Sequence, residues 1–405
     1  MTGLVIIGGS YAGFNVAISA RQHGYAETIR MLVEEPVLPY HRPPLSKGYL
    51  LNSAAADTLA IRGAAFYAEH DIDVLFGTKA LAIDSAHRVV TNRGTMDFDV
   101  VAITTGARAR SIKLPGSELE GVVTLRNLAD AEAIRHRLAE TENVVLVGAG
   151  FIGLELAASL RKLGKAVTVL EAQSRVLARA IPPRLSAFIE AEHRRHGVDL
   201  RCNIGVSAIQ GAHGKVNSVV AADGARFPAD MVVLALGAAP NIELGTPLGL
   251  VADGAIKVDN VGRTQLEQVY AAGDCTIHPN AFSGTLLRLE SVQSATDQGK
   301  AAGAAIAGAY KPNESVPWFW SDQYDLKLQM VGLSQDADAE IVRGSLVERK
   351  FSIFYFKGKR LVGIDSINAA ADHMLGRRLL SQRIEVSPEF ISDTHFDLRS
   401  LERTA

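Results

Sequence analysis

"NVVLVGAGFIGLELAASLRKLGKAVTVLEA" (residues 143–172) decides the fold. Its opening apolar run is continuous rather than alternating, which predicts a strand buried on both faces of a parallel sheet. Gly148, Gly150 and Gly153 follow in Gly-x-Gly-x-x-Gly register, then a helix to about Leu163 and a second strand ending on Glu171. Each glycine has a physical task. The first permits a tight turn, the second lets a pyrophosphate approach the backbone, and the third lets helix and strand pack closely. The helix N-terminus offers unpaired N–H groups to the phosphates, and the terminal acid accepts from a ribose diol. One such segment is weak evidence, because glycine-rich turns are common.

A second copy makes it strong. "LVIIGGSYAGF" (residues 4–14) supplies Gly8 and Gly13, with Ser10 in the middle slot. A helix closed by Gly24 follows, then "TIRMLVEE" ending on Glu34 and Glu35, with Glu34 taken as the ribose-binding acid. Further strands ending in glycine or acid are predicted at "DFDVVAITTGARAR" (97–110), "ADMVVLALGAAPN" (229–241) and "QVYAAGDCT" (268–276). The chain thus leaves one nucleotide domain, builds another and returns. From Val316 the texture changes to short β segments, with "KGKR" (357–360) as a hairpin turn. The expected division is 1–110 with 240–315, then 111–239, then a C-terminal α+β domain at 316–405.

Composition narrows the function. With 405 residues there is room for several cores, and a net charge of −2 gives no basic field for nucleic acid. No stretch approaches the roughly 20 apolar residues of a membrane helix. Two cysteines, Cys202 and Cys275, make neither a disulfide framework nor a CxxC pair, which fits a reducing cytoplasm. A carboxylate at Glu171 would repel a 2′-phosphate and so favours NADH. Arg175 and Arg179 follow it closely and are read either as solvated helix residues or as phosphate partners.

Two dinucleotide sites suggest a nicotinamide feeding a flavin, and here a family resemblance becomes specific. "PYHRPPLSKGYL" (39–50), "GAGFIGLELA" (148–157), "YAAGDC" (270–275), "LESVQSATDQGKAA" (289–302) and "VPWFWSDQYDLKLQMVGL" (316–333) carry it. The chain resembles, over nearly its whole length, the putidaredoxin-reductase type of FAD-dependent NADH:ferredoxin reductase. The resemblance implies an α/β, glutathione-reductase-like fold: two Rossmann-like nucleotide domains and a C-terminal α+β domain. It places Gly8, Ser10, Gly13, Glu34, Arg42, Thr105, Gly106, Asp274 and Val292 on FAD. Gly148, Gly150, Gly153 and Glu171 would bind NADH. Lys47 and Glu155 would form a pair beside the flavin ring and the nicotinamide amide, and Trp320 would lie against the flavin. The implied cofactors are FAD and NADH, and the implied partner is a 2Fe-2S ferredoxin serving a haem monooxygenase or ring-hydroxylating dioxygenase.

The departures are informative too. No cysteine precedes Cys202, which makes dithiol or peroxidase chemistry at the flavin improbable, and Cys275 is read as a small buried residue. His193 and His196 lack the companions of a metal site and are expected to be solvated. Arg288, Lys327, Arg377 and Arg378 are candidates for a basic docking face, since such ferredoxins are usually acidic. The chain is expected to be a monomer or weak dimer. The alternatives are a rubredoxin, quinone or oxygen as acceptor, and a flavin-bearing interaction protein of the apoptosis-factor kind.

Overall fold

The computed structural model describes residues 2–393 and 395–403. The chain divides into two compact units. One comprises Met1–His41, Ala56–Arg108 and Ala239–Phe319; the other comprises Arg42–Ala55, Ala109–Ala238 and Trp320–Ala405.

In the first unit, the apolar run Gly3–Ile7 is the central strand of a five-stranded parallel sheet. Val100–Ile103 and Val269–Ala271 lie to one side, and Thr28–Val33 and Ile72–Phe76 to the other. Because every strand runs the same way, both faces must be covered, and they are. Leu4, Ile6, Met31 and Ala102 pack on one face, and Val5, Ile7, Leu32 and Val101 on the other. Each such Leu or Ile removed from water contributes roughly 2 kcal/mol. The first fingerprint helix, Tyr11–Gln22, and the helix Val292–Ile306 pack almost backbone to backbone. A Cβ on Gly299 would lie 2.5 Å from the Ala12 carbonyl oxygen, and one on Gly303 2.4 Å from that of Val16.

The second unit repeats the design. Asn143–Val147 is central, flanked by Ala166–Leu170 and Asp199–Arg201 on one side and by Met231–Leu234 and Val122–Val123 on the other. In both sheets the strand order reverses beside the first strand. The crevice at the carboxyl ends of those strands is where such sheets bind ligands. The C-terminal residues add an antiparallel sheet in which Lys350–Lys357 and Arg360–Ile367 form a hairpin closed at Lys357↔Arg360. This sheet shares a core with the nucleotide module. Leu185 and Ile189 cluster with Phe351, Ile353 and Ile367, and the Phe188 and Phe351 rings meet edge to face at 4.9 Å. The segment 42–55 also belongs to this unit rather than to the one containing the first fingerprint.

Candidate functional site

The two fingerprint loops sit at the carboxyl ends of their central strands. In the second, Gly148 has φ +107°, and a Cβ there would be 2.5 Å from the Ala235 carbonyl oxygen. A Cβ on Gly153 would be 2.3 Å from the Gly148 carbonyl oxygen. Gly150 differs: nothing lies within 4 Å of where its Cβ would be. That open cradle caps a 12-residue helix, Phe151–Lys162, with no acid in its first turn, so it fits a dinucleotide pyrophosphate. The Glu171 carboxylate accepts from the Ala149 N–H at 2.7 Å and the Gln173 N–H at 2.8 Å, bracing the loop.

The first loop is built alike. Gly8 has φ +120°, and its Cβ would sit 2.3 Å from the Thr104 carbonyl oxygen; that of Gly13 would sit 2.0 Å from the Gly8 carbonyl oxygen. Ser10 caps the helix in an extended conformation without a side-chain cap bond, occupying the slot of Gly150. Thr104 ties the loop to the neighbouring strand, its hydroxyl 3.0 Å from the carbonyl oxygens of both Ile7 and Gly8. Thr105 does not face this loop. Its hydroxyl donates to the Asn241 carbonyl at 2.8 Å, and the Asn241 amide returns a bond to the Thr105 carbonyl. Gly106 follows with φ +63°.

Glu34, like Glu171, is the first residue beyond its strand, but the two differ in register. Leu32 pairs with Ile7 as Leu170 pairs with Val147, so Val33, not Glu34, holds the register position of Glu171. Glu34 is 65% exposed and ion-paired with Lys79 at 2.8 Å. Glu35 is the half-buried carboxylate, accepting the Tyr40 hydroxyl at 2.7 Å. Asp274 follows Gly273, whose Cβ would lie 3.0 Å from that of Ala12, so the "YAAGD" turn abuts the first turn of the fingerprint helix. Gln298, unremarked in the sequence, organises this turn by accepting from Thr276 at 2.6 Å and the Gly273 N–H at 3.2 Å. Val292 is the half-buried first residue of its helix, behind the Ser291 cap.

In the second unit, Pro43 and Pro44 set a short 3-10 turn, Pro43–Ser46, which delivers Ser46 and Lys47 to the second fingerprint helix. Glu155 and Ser159, one turn apart, receive them. Lys47 pairs with Glu155 at 2.7 Å, Ser46 donates to the same oxygen at 2.6 Å, and Ser159 donates to the Ser46 carbonyl at 2.7 Å. Glu155 is 3% exposed and Lys47 20%, so this is a largely dry ion pair with added hydrogen bonds, the form in which buried charge is tolerated. Ser321 donates to the other Glu155 oxygen at 2.7 Å. Trp320, half-buried, stands on the opposite face of the strand from Ser321. Arg42 donates to the Arg126 carbonyl at 2.9 Å.

Two further readings are corrected. Arg175 is not a solvated helix residue. It lies outside the helices and spends its guanidinium on the carbonyls of Ile181 and Ala178, both at 2.7 Å. Arg179 is exposed in the same stretch. His193 is not solvated: it is 1% exposed, and burial pulls its pKa down to about 4. His196 stacks on Tyr324 at 3.7 Å.

Burial pushes both cysteine thiols up to about 11, so neither is a thiolate at neutral pH. Among the described residues no cluster of His, Cys, Asp and Glu could hold a metal, and no helix is long and apolar enough to cross a membrane. Of the basic docking candidates, Arg288 pairs with Glu290, Lys327 and Arg378 are exposed, and Arg377 is half-buried.

Residues 2–299 match the pyridine nucleotide-disulphide oxidoreductase family, and residues 318–402 match the reductase C-terminal family. Rhodocoxin reductase of Rhodococcus erythropolis is 43% identical, over 98% of this chain and 93% of its own length. A rubredoxin-NAD(+) reductase of Pseudomonas putida is 35% identical, over 90% of this chain and 95% of its own length. The covalent putidaredoxin reductase–putidaredoxin complex contains a chain that superposes with a TM-score of 0.96 at 36% identity, covering 100% of this chain and 99% of that one.

Proposed function

The chain belongs to the pyridine nucleotide-disulphide oxidoreductase family, and on that premise we propose that it passes electrons from NADH through FAD to a 2Fe-2S ferredoxin. The ferredoxin in turn serves a haem monooxygenase or ring-hydroxylating dioxygenase. The observation that carries this reading is the pair of built fingerprint loops, each with a cradle at a helix N-terminus, in a chain whose cysteines are not thiolates at neutral pH. When bound, FAD supplies the conversion between two-electron donation by NADH and single-electron delivery.

We assign 1–110 with 240–315 to FAD, except that 42–55 groups with the second unit, 111–239 to NADH and 316–405 to the C-terminal domain. Gly8, Ser10, Gly13, Asp274 and Val292 hold FAD, with Glu35 in place of Glu34 as the carboxylate turned inward. Gly148, Gly150, Gly153 and Glu171 hold the NADH pyrophosphate and ribose. Glu155, second-turn neighbour of that cradle, holds Lys47 in place at the nicotinamide end. The enzyme works as a cytoplasmic monomer or weak dimer and meets its ferredoxin transiently.

Ser10 offers a direct check of the first cradle. Ser10→Gly is expected to purify with full flavin, because the slot accepts the residue found at Gly150. Ser10→Leu is expected to purify colourless, and a fully yellow leucine variant would place the pyrophosphate elsewhere.

The function itself is tested by anaerobic mixing with NADH. The flavin absorbance should bleach, and added 2Fe-2S ferredoxin should restore it. Absence of flavin, or of bleaching, refutes the reading. Ferredoxin-dependent turnover should fall steeply as ionic strength rises through about 0.15 M, where the screening length is roughly 8 Å. Ferricyanide-dependent turnover should change little, and equal salt sensitivity would remove the electrostatic docking. The similarity to a rubredoxin-NAD(+) reductase makes rubredoxin the second acceptor to compare.

A further inference from the structure

Ser321 leads away from Glu155 into a chain of side chains, all within the second unit. The Ser321 hydroxyl receives the Gln323 amide N–H at 3.1 Å. The Gln323 carbonyl oxygen lies 2.8 Å from His193 Nε2, and the Tyr324 hydroxyl lies 3.2 Å from His193 Nδ1. Glu155, Ser321, Gln323 and His193 are all buried.

The direction of every bond is forced. A carboxylate can only accept, so the single Ser321 proton goes to Glu155. The Ser321 oxygen must therefore accept, and only the amide nitrogen of Gln323 can donate to it. That leaves the amide oxygen facing His193, which must carry its proton on Nε2. Nδ1 is then a lone pair, and the Tyr324 hydroxyl donates to it. Burial keeps the imidazole neutral, with a pKa of about 4, so this tautomer persists at neutral pH.

The far end is anchored under strain. Tyr324 has φ +58°, a left-handed conformation costly for a bulky side chain. It is held there by Lys162, which donates to its carbonyl at 2.9 Å, and by the His196 ring stacked on its own at 3.7 Å and 10°. Strained residues fixed from several sides are found where position matters to function.

We infer that Ser321, Gln323, His193 and Tyr324 form a positioning relay that fixes the Glu155 carboxylate against Lys47. The anchored tyrosine sets the histidine tautomer, the histidine orients the glutamine amide, and the amide turns the serine proton onto the carboxylate. Glu155 then presents a single geometry to Lys47, with one oxygen taken by Ser321 and the other by Lys47 and Ser46. None of the four touches the reacting atoms in this role. The relay rests on the reading that Lys47 and Glu155 serve the NADH reaction.

The test breaks the chain at its middle. Gln323→Leu preserves bulk and leaves Glu155 its direct partners. Its limiting rate of anaerobic reduction by NADH should fall on the order of tenfold, since small displacements of a reacting geometry are that costly. The NADH concentration giving half that rate should stay within about twofold, the split expected when ground-state binding is untouched. Ser321→Ala should show the same loss and Ser321→Thr should restore the rate, which also carries the test if the leucine variant does not fold. Independently of activity, NMR of 15N-histidine-labelled parent protein at neutral pH should show His193 neutral and protonated on Nε2, and Gln323→Leu should mix its tautomers. Parental rates in both Gln323→Leu and Ser321→Ala, or an Nδ1-protonated His193 in the parent, overturn the relay. A parent protein that NADH does not reduce overturns the functional reading instead, whatever the tautomer.

Discussion

Lys47→Met is expected to slow anaerobic reduction by NADH on the order of a hundredfold, the cost typical of removing one preorganised charge or donor from a site. The substitution keeps the unbranched aliphatic stem and removes the terminal ammonium, and with it both the charge and the donors that reach Glu155 and the Pro43 carbonyl. Glu155 then keeps Ser46 and Ser321 but loses its countercharge while remaining 3% exposed. Breaking a fully buried pair costs 3–5 kcal/mol, and Lys47 is a fifth exposed, so a loss of about 2–3 kcal/mol in stability is expected. Stopped-flow absorbance measures the first effect and denaturant unfolding the second. A folded variant that is reduced as fast as the parent would remove the pair from the reaction. One that is merely unstable, with an unchanged rate, would leave the pair a structural role alone.

Gly13→Ala is expected to abolish flavin retention, with the FAD dissociation constant rising at least a hundredfold. The added methyl carbon would sit 2.0 Å from the Gly8 carbonyl oxygen and 2.9 Å from the Thr104 hydroxyl. The nearer atom is backbone, so no rotamer change relieves it. Either the helix leaves the strand or the Gly8 carbonyl swings out, and in both cases the cradle around Ser10 opens. Core overpacking ordinarily costs 1–3 kcal/mol, and a backbone collision belongs at or beyond the upper end. Equilibrium dialysis of the apoprotein against FAD checks the affinity, and circular dichroism checks that the fold survives. Undiminished binding would separate this loop from the cofactor.

The same geometry explains how far the sequence could be read. Fingerprint spacing and continuous apolar runs are local, so both parallel sheets and their crevices are legible in the sequence. The choice between Glu34 and Glu35 is not. It depends on where the strand releases the chain, and Val33 takes the register position that Glu171 holds in the second copy. Thr104 and Thr105 pose the same problem, since adjacent residues on a strand end face opposite ways.

His193 was misjudged for a different reason. The charges of "EHRRHG" suggested solvent, yet Leu185, Ile189 and His193 recur at intervals of four along one buried stripe of their helix. That periodicity was the available signal. Ser321 and Gln323, two apart in a strand, likewise had to share a face. What no local pattern could show was that this face meets Glu155, 166 residues earlier in the chain.

The backbone contact between Tyr11–Gln22 and Val292–Ile306 also sets a schedule for synthesis. The first helix of the first unit must wait for one about 280 residues downstream before Gly299 and Gly303 can seat against Ala12 and Val16. At roughly 5–20 residues per second, that wait is about 15–60 seconds on the ribosome. The sheet built around Asn143–Val147 has all its strands by Leu234 and can assemble in the interval. All five strands of that sheet therefore leave the ribosome before the helix that closes the first unit has been made.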